Sequence, residues 1–258
     1  MKHEIYREFD LSILSSVDST NRWLQERIKQ QKAISNQVVC ADYQTGGRGM
    51  GDNKWHSEKG QNLLFSIGMD ASFIPASEQF LITQMIALAI VDELSYLIGS
   101  EKFSIKWPND IFYSDRKLGG ILIVNTIRAS QLDQTVIGVG INVNQSIFPE
   151  WIPRPVSLSM ISKQQFDALN ILKAILMRFS YRTKQAEDTD GVQRIAHDYH
   201  QKMYRLDEWH FYALDNMQIE LKIKGIGEYG LLILENRAGK TFSCDFKSIR
   251  FLYEDELT

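Results

Sequence analysis

Cysteine is nearly absent from this chain of 258 residues, which carries only Cys40 and Cys244, far apart in the sequence. Two such residues build neither a disulfide framework nor a zinc knuckle, so a reducing cytoplasm is the expected setting. The N-terminus, Met1-Lys2-His3-Glu4, leads into charged residues and lacks the apolar stretch of a secretory leader. Uninterrupted membrane-length apolar runs are missing too: the longest candidate, Phe80 to Ile98, is broken by Gln84, Asp92 and Glu93 and reads as a buried core helix. The formal net charge of -3 lacks the basic surplus that a broad grip on nucleic acid requires, while leaving room for a local basic pocket that takes a phosphate-bearing small molecule. Neither the G-x-x-x-x-G-K-[ST] phosphate loop nor a G-x-S-x-G nucleophile elbow occurs. The five histidines offer no metal set, since His197 and His200 share a helical face but find no third ligand. Repeats and low-complexity segments are also lacking.

What is present reads as an α+β protein, a mixed sheet covered by helices. Residues 11–17 have strand character, and Asp18 or Ser19 caps a helix reaching about residue 31, with Trp23, Leu24 and Ile28 at helical spacing. Val38–Ala41 and Asn62–Met69 read as strands flanking a long glycine-rich loop. Ser77 is the expected cap of the apolar helix ending near Ile98. Strands follow at about 103–107, 110–114, 118–127 and 135–143, the second and third joined by a tight turn at Ser114–Lys117. Pro149, Pro153 and Pro155 mark an irregular segment, and helices are expected at 163–186 and 190–203. Beyond about residue 205 short alternating runs separated by glycines predict a small antiparallel unit, giving a division into 1–205 and 206–258.

Five stretches could carry chemistry, and each also has a plainer reading. In Gln44-Thr-Gly-Gly47-Arg48-Gly49-Met50-Gly-Asp52-Asn53-Lys-Trp55, glycines let consecutive N–H groups approach one acceptor and Arg48 adds a planar cation; the plainer reading is a surface loop with a solvated arginine. Lys106-Trp107-Pro108-Asn109-Asp110 offers oxygens for Mg²⁺ or an amine, or else is a turn with a buried tryptophan. Lys117, ahead of Gly119 and Gly120 in an apolar strand, could meet a phosphate, or be an exposed turn lysine before a bulge. Gly138, Gly140 and Asn142 could seat a ligand edge, or mark a tight sheet crossing. Asp18-Ser19-Thr20-Asn21 could bind a polar ligand at a helix N-terminus, or simply cap it.

The order and spacing of these stretches resemble the biotin–protein ligase family from about Ser15 to the C-terminus. The resemblance rests on Lys106-Trp-Pro-Asn-Asp110, on Arg116-Lys-Leu-Gly-Gly-Ile121 after it, and on the Gly47-Arg-Gly49…Trp55 loop. Lipoate ligases share the fold but are not expected to carry the first two together. It implies a class II synthetase-like catalytic domain with a small C-terminal barrel like that of Src-homology-3 domains. It also implies an amide-forming ligase that uses ATP and Mg²⁺ to convert biotin to biotinyl-5′-AMP and then passes biotin to a lysine of a carboxyl carrier domain.

By this resemblance Ser19, Thr20 and Gln44, next to Asn21, look like the partners of the ureido end of biotin, helped by backbone around Gly47, Arg48 and Gly49. Arg48 and Lys117 look like the cations at the carboxylate and the α-phosphate, and Lys106, Asn109 and Asp110 like residues around the phosphates, Mg²⁺ and incoming lysine. Gly120, Gly138 and Gly140 would line the valeryl chain, with Trp55 closing the loop, and Asn142 would meet adenine. One departure stands out: Met50 replaces the family's second loop arginine and Asp52-Asn53 replace Gly-Arg, so the adenylate is expected to be held less tightly. Some members carry an N-terminal helix-turn-helix; here the motifs begin near residue 19, so neither a DNA partner nor a repressor role is expected, and no membrane partner either. A lipoate or octanoate ligase is the alternative enzyme; the sequence leaves the oligomeric state open, and an exposed edge strand of the central sheet could pair two copies into a homodimer, as in some members of the family.

Overall fold

The computed structural model describes residues 1–30, 34–214 and 217–256. The larger part contains β1 (Lys2–Tyr6), β2 (Phe9–Leu14), α1 (Thr20–Lys29), β3 (Gln37–Ala41), β4 (Leu63–Asp70), α2 (Phe80–Ile98), β5 (Phe103–Lys106), β6 (Asp110–Tyr113), β7 (Arg116–Arg128) and β8 (Gln131–Ile141). Then come α3 (Leu158–Ser162), α4 (Ala168–Gln185) and α5 (Thr189–Gln201). The smaller part contains β9 (Trp209–Leu214), β10 (Met217–Ile226), β11 (Leu232–Asn236), β12 (Thr241–Cys244) and β13 (Ile249–Phe251).

The eight strands β1 to β8 form one sheet in the order β1-β2-β3-β4-β8-β7-β6-β5. All pairs are antiparallel except β2 with β3, so the sheet is mixed, as the α+β reading expects. Strand β4 is buried along almost its whole length because β3 and β8 flank it while α1 and α4 pack nearby. Helix α2 has the length and apolarity of a membrane span, yet most of its surface is packed inside the protein, against α4 and α5. Gly99 ends α2 in the left-handed region at φ 67°, where its N–H closes on Ser95 and a side chain would be strained. The five-stranded antiparallel sheet β12-β11-β10-β9-β13 follows, bent by a bulge between Ile223 and Gly225. Its core is continuous with that of the larger part, and the Trp107 indole donates to the Gly230 carbonyl at 2.9 Å across the junction.

Several expectations shift. Strand β1 escaped the sequence pattern because it is an edge strand with little apolar alternation: Ile5 is exposed, and the ladder with β2 holds it. The strand expected at 11–17 runs from Phe9 to Leu14. Ser19, not Asp18, caps α1; Asp18 instead accepts the Ser19 N–H and pairs with Arg22. The helix ends at Lys29, and the expected limit at residue 31 lies outside the described residues. Ser77 is no cap: it sits inside a 3-10 turn, Ala76–Glu78, that leads into α2 without a side-chain cap. The helix expected at 163–186 starts later, at Ala168, where Asp167 caps α4 by accepting the Leu169 and Asn170 N–H groups, while Lys163, at φ 60°, ends the separate short helix α3 that the sequence reading did not include.

Candidate active site

A cavity of about 430 Å³ opens between the face of β7 and β8, the N-terminus of α1, the glycine-rich loop and the proline-broken segment after β8. That is the size range of small-molecule sites. Every site residue expected from sequence lies on its wall except Gly47 and Lys106.

The cavity's polar end is built at the start of α1. The Thr20 N–H and hydroxyl both donate to Gln44 Oε1, at 2.7 and 3.1 Å, and the Thr20 hydroxyl meets Ser66 at 2.9 Å. Gln44 thus spends its oxygen on the protein and keeps its amide NH₂ as a donor. Asn21 donates to the Leu122 carbonyl at 3.1 Å and accepts from Gln25. The glycines of β7 and β8 serve these side chains. A Cβ at Gly138 would lie 2.7 Å from Asn21 Nδ2, and one at Gly140 would lie 2.5 Å from Trp55 Cε2. Trp55 therefore fills part of the bare strip expected to receive the ligand, and its buried indole N–H has no partner among the described residues.

At the charged end, Lys117 Nζ is 2.7 Å from Asp110 Oδ1, with both side chains partly buried. A bulge opposite Ile111–Phe112 makes Leu118 the extra residue, which turns Lys117 toward Asp110 while Leu118 enters the core. The Lys117 backbone is pinned as well: its N–H donates to the Arg154 carbonyl at 2.8 Å, and its carbonyl accepts from Val156 at 2.9 Å. Asn109 donates to Ile121 O at 2.6 Å. Asn142 spends its amide N–H on Val156 O at 3.1 Å, leaving its oxygen as the polar atom for a ligand.

Lys106 is not brought to the wall. Its ammonium sits among Phe112, Phe251 and Tyr253, with centroids at 5.0, 4.7 and 5.7 Å, and lies 3.4 Å from the Tyr253 hydroxyl. Burial pushes its pKa down to about 8, with Asp110 acting in the opposite direction. It is drawn toward the C-terminal part by the rings of Phe251 and Tyr253 and by the Tyr253 hydroxyl. Gly47 is off the wall for a different reason: it lies against the Trp55 carbonyl, where a Cβ would come within 2.5 Å, and so lets the loop close on itself.

That loop is a short hairpin. Trp55 N–H donates to Gly47 O at 3.1 Å and Gly49 N–H to Asn53 O at 2.8 Å, with Arg48 opposite Lys54 between them and Gly51 at φ 64° in the turn. Its base is tied to the approach to α1 through Thr45 N–H to Val17 O and Gly46 N–H to Asp18 O.

Sequence reasoning missed Phe148, Trp151, Ile152, Lys54 and His56, which also line the cavity. Trp151 is 65% exposed and meets the edge of His56 at 5.9 Å. For Phe148, Trp151 and Ile152 the available signal was the cluster of large apolar residues in Ile147-Phe-Pro-Glu-Trp-Ile152, which has no helical or strand period. Among the described residues no group of three or more His, Cys, Asp or Glu could hold a metal ion, and Asp110 is the wall's carboxylate. Cys40 and Cys244 are not joined by a disulfide.

Residues 13–142 match the model of the biotin/lipoate A/B protein ligase family. The chain is 30% identical over 261 residues to the bifunctional ligase/repressor BirA of Bacillus spizizenii, covering 95% of this chain and 74% of that protein. It is 37% identical over 133 residues to BirA of Escherichia coli, where the match spans 52% of this chain and 40% of that one. The solved structure of biotin protein ligase from Aquifex aeolicus in complex with biotin and ATP is 28% identical, covers 93% of this chain and 97% of its own, and superposes with a TM-score of 0.75.

Proposed function

Since the chain belongs to the biotin/lipoate A/B protein ligase family, we propose that it is a biotin–protein ligase, which activates biotin with MgATP and joins it to a lysine of a carrier protein. The observation that carries this reading is one cavity with a hydrogen-bonding end at Thr20 and Gln44 and a cationic end at Arg48 and Lys117. Such a cavity suits a molecule with a polar head, an apolar chain and an anionic tail.

In this reading the ureido end of biotin meets Ser19, Thr20, Asn21 and the Gln44 amide, and its chain crosses Trp55, Leu122 and Val139. A carboxylate is a poor acyl donor because oxide is a poor leaving group. Its oxygen attacks the α-phosphorus of ATP, pyrophosphate leaves, and the carboxyl carbon is then bonded through oxygen to AMP. Two anions must approach for this, and Lys117 and Arg48 offset their repulsion. Mg²⁺ arrives on the nucleotide's phosphates as part of the substrate. One wall carboxylate beside an amide suits such an ion, which keeps waters and phosphate oxygens as its main ligands, with Asp110 and Asn109 as the protein donors. Adenine would lie by Asn142 and the Phe148–Trp151 side of the mouth.

In the second step a carrier lysine, as the free amine, attacks the biotinyl carbonyl. The amide forms, AMP leaves, and the amine's proton passes toward Asp110, the carboxylate of the wall. Exclusion of water preserves the mixed anhydride, and the loop 44–55 is the cover. Residues 1–205 act as the catalytic unit and 206–258 as a small supporting barrel, in the cytoplasm, with the biotin domain of a carboxylase as acceptor. The test is a mass measurement on a biotin carrier domain incubated with this protein, MgATP and either biotin or lipoate. Addition of one biotinyl group and no lipoyl group is expected; lipoylation alone, or no change, overturns the proposal.

A further inference from the structure

The loss of the second loop arginine at Met50 predicted a weakly cationic cover, but the hairpin geometry alters that expectation. Arg48 and Lys54 stand opposite each other in an antiparallel pair, and such residues project to the same face of the ribbon. Both lie on the cavity wall, whereas Asp52 at the hairpin tip does not. Neither Arg48 nor Lys54 has an ion-pair or hydrogen-bond partner among the described residues, in contrast to Lys117 with its Asp110. Like charges directly opposite on paired strands destabilise the pair. An anion between them reverses that sign.

We propose that Lys54 is a second phosphate-binding cation of the loop, standing in for the basic residue absent at position 50, so that Arg48 and Lys54 together grip the phosphate of the bound adenylate. This rests on the biotinyl-adenylate reading above. The ligand class is a phosphate monoanion in a mixed anhydride, and the grip couples loop closure to its presence: the hairpin is strained by its own charges when empty and relieved when the phosphate arrives. Met50 then contributes an apolar contact on the same wall rather than charge.

The experiment is to form biotinyl-5′-AMP on the full chain from biotin and MgATP, chase it with unlabelled biotin, and measure release at low and high salt. Lys54→Ala should release the adenylate about five-fold faster at low salt, the modest size expected of an exposed charge. The variant should also lose part of the wild-type salt dependence, which a merely structural role would not touch. Lys54→Arg should stay close to wild type, and Met50→Arg added to Lys54→Ala should restore retention. Unchanged release and salt dependence in Lys54→Ala, with faster release in Arg48→Ala, would overturn the assignment of Lys54 alone. No adenylate on the unmodified chain, or release indifferent to Arg48→Ala as well, would instead overturn the reading of the site on which it rests.

Discussion

The cavity has two cationic walls, and they are built on opposite principles. On the sheet side, Lys117 is held by a carboxylate at 2.7 Å, by two backbone hydrogen bonds and by a bulge. On the loop side, Arg48 and Lys54 stand exposed on a hairpin with no partner among the described residues. A group whose position is already set costs nothing to order when the phosphate arrives, so the sheet wall is the one suited to stabilise charge in the transition state. A group that is ordered by the ligand spends part of its binding energy on closure, so the loop wall is suited to retention and exclusion of water. The difference gives the sheet wall the larger share of rate and the loop wall the larger share of residence time.

Removing the fixed cation should do the most damage. Lys117→Ala is expected to slow adenylate formation by about 10²–10³-fold, followed by pyrophosphate release, whereas the loop variants change release more than formation. Equal losses in formation from Lys117→Ala and Arg48→Ala would erase the distinction between the walls. Next in size is Gly140→Val, which drives side-chain atoms into Trp55, already within 2.5 Å of a Cβ at that position. Overpacking of this kind costs about 1–3 kcal/mol, and the displaced indole should also raise KM for biotin with little change in KM for ATP.

A smaller effect is expected at Arg154. Its guanidinium lies 4.4 Å from the Tyr253 ring centroid and pairs with Asp255, while its carbonyl, on a residue at φ 47°, accepts the Lys117 N–H. Arg154→Ala keeps the carbonyl but frees the segment, so KM for ATP should rise a few-fold and the melting temperature fall slightly, as for loss of an exposed pair. The smallest signal concerns Lys106, which lies behind the fixed wall. Its ammonium is charged in folded and unfolded chains below about pH 8, where the burial penalty is fully present. Between about 8 and its ordinary value of 10.5 the unfolded chain holds more protons, so stability should rise with pH. Lys106→Met should flatten that rise, read from urea midpoints across the interval.

The site was more legible than the elements that carry it. Ser19 was readable as one of two candidate caps, and the end of the apolar helix near Ile98 from its residue pattern, because both are local features. The edge strand β1 was not, because pairing with β2 decides it, and the start of α4 was missed although Asp167 marks it locally as a cap. Trp151 escaped because it lies in no periodic run, and Lys54, inside the named loop, because its facing follows only from the bridge to Arg48.

By itself, the amino-acid order determined which chemistries were present and how they were spaced: a cation in a glycine-rich loop, a lysine ahead of two glycines, and hydroxyls at a helix start. Residue type and short-range backbone preference depend on neighbours a few positions away, so a linear reading reaches them. Tertiary structure alone decided which way those groups face. It seated Trp55 and Asn21 on the glycines of β7 and β8, turned Lys106 toward Tyr253, and set Lys54 across from Arg48. Facing depends on strand register, where a shift of one position would reverse every side chain, and on side-chain partners from distant segments, such as Leu122 for Asn21 and Tyr253 for Lys106.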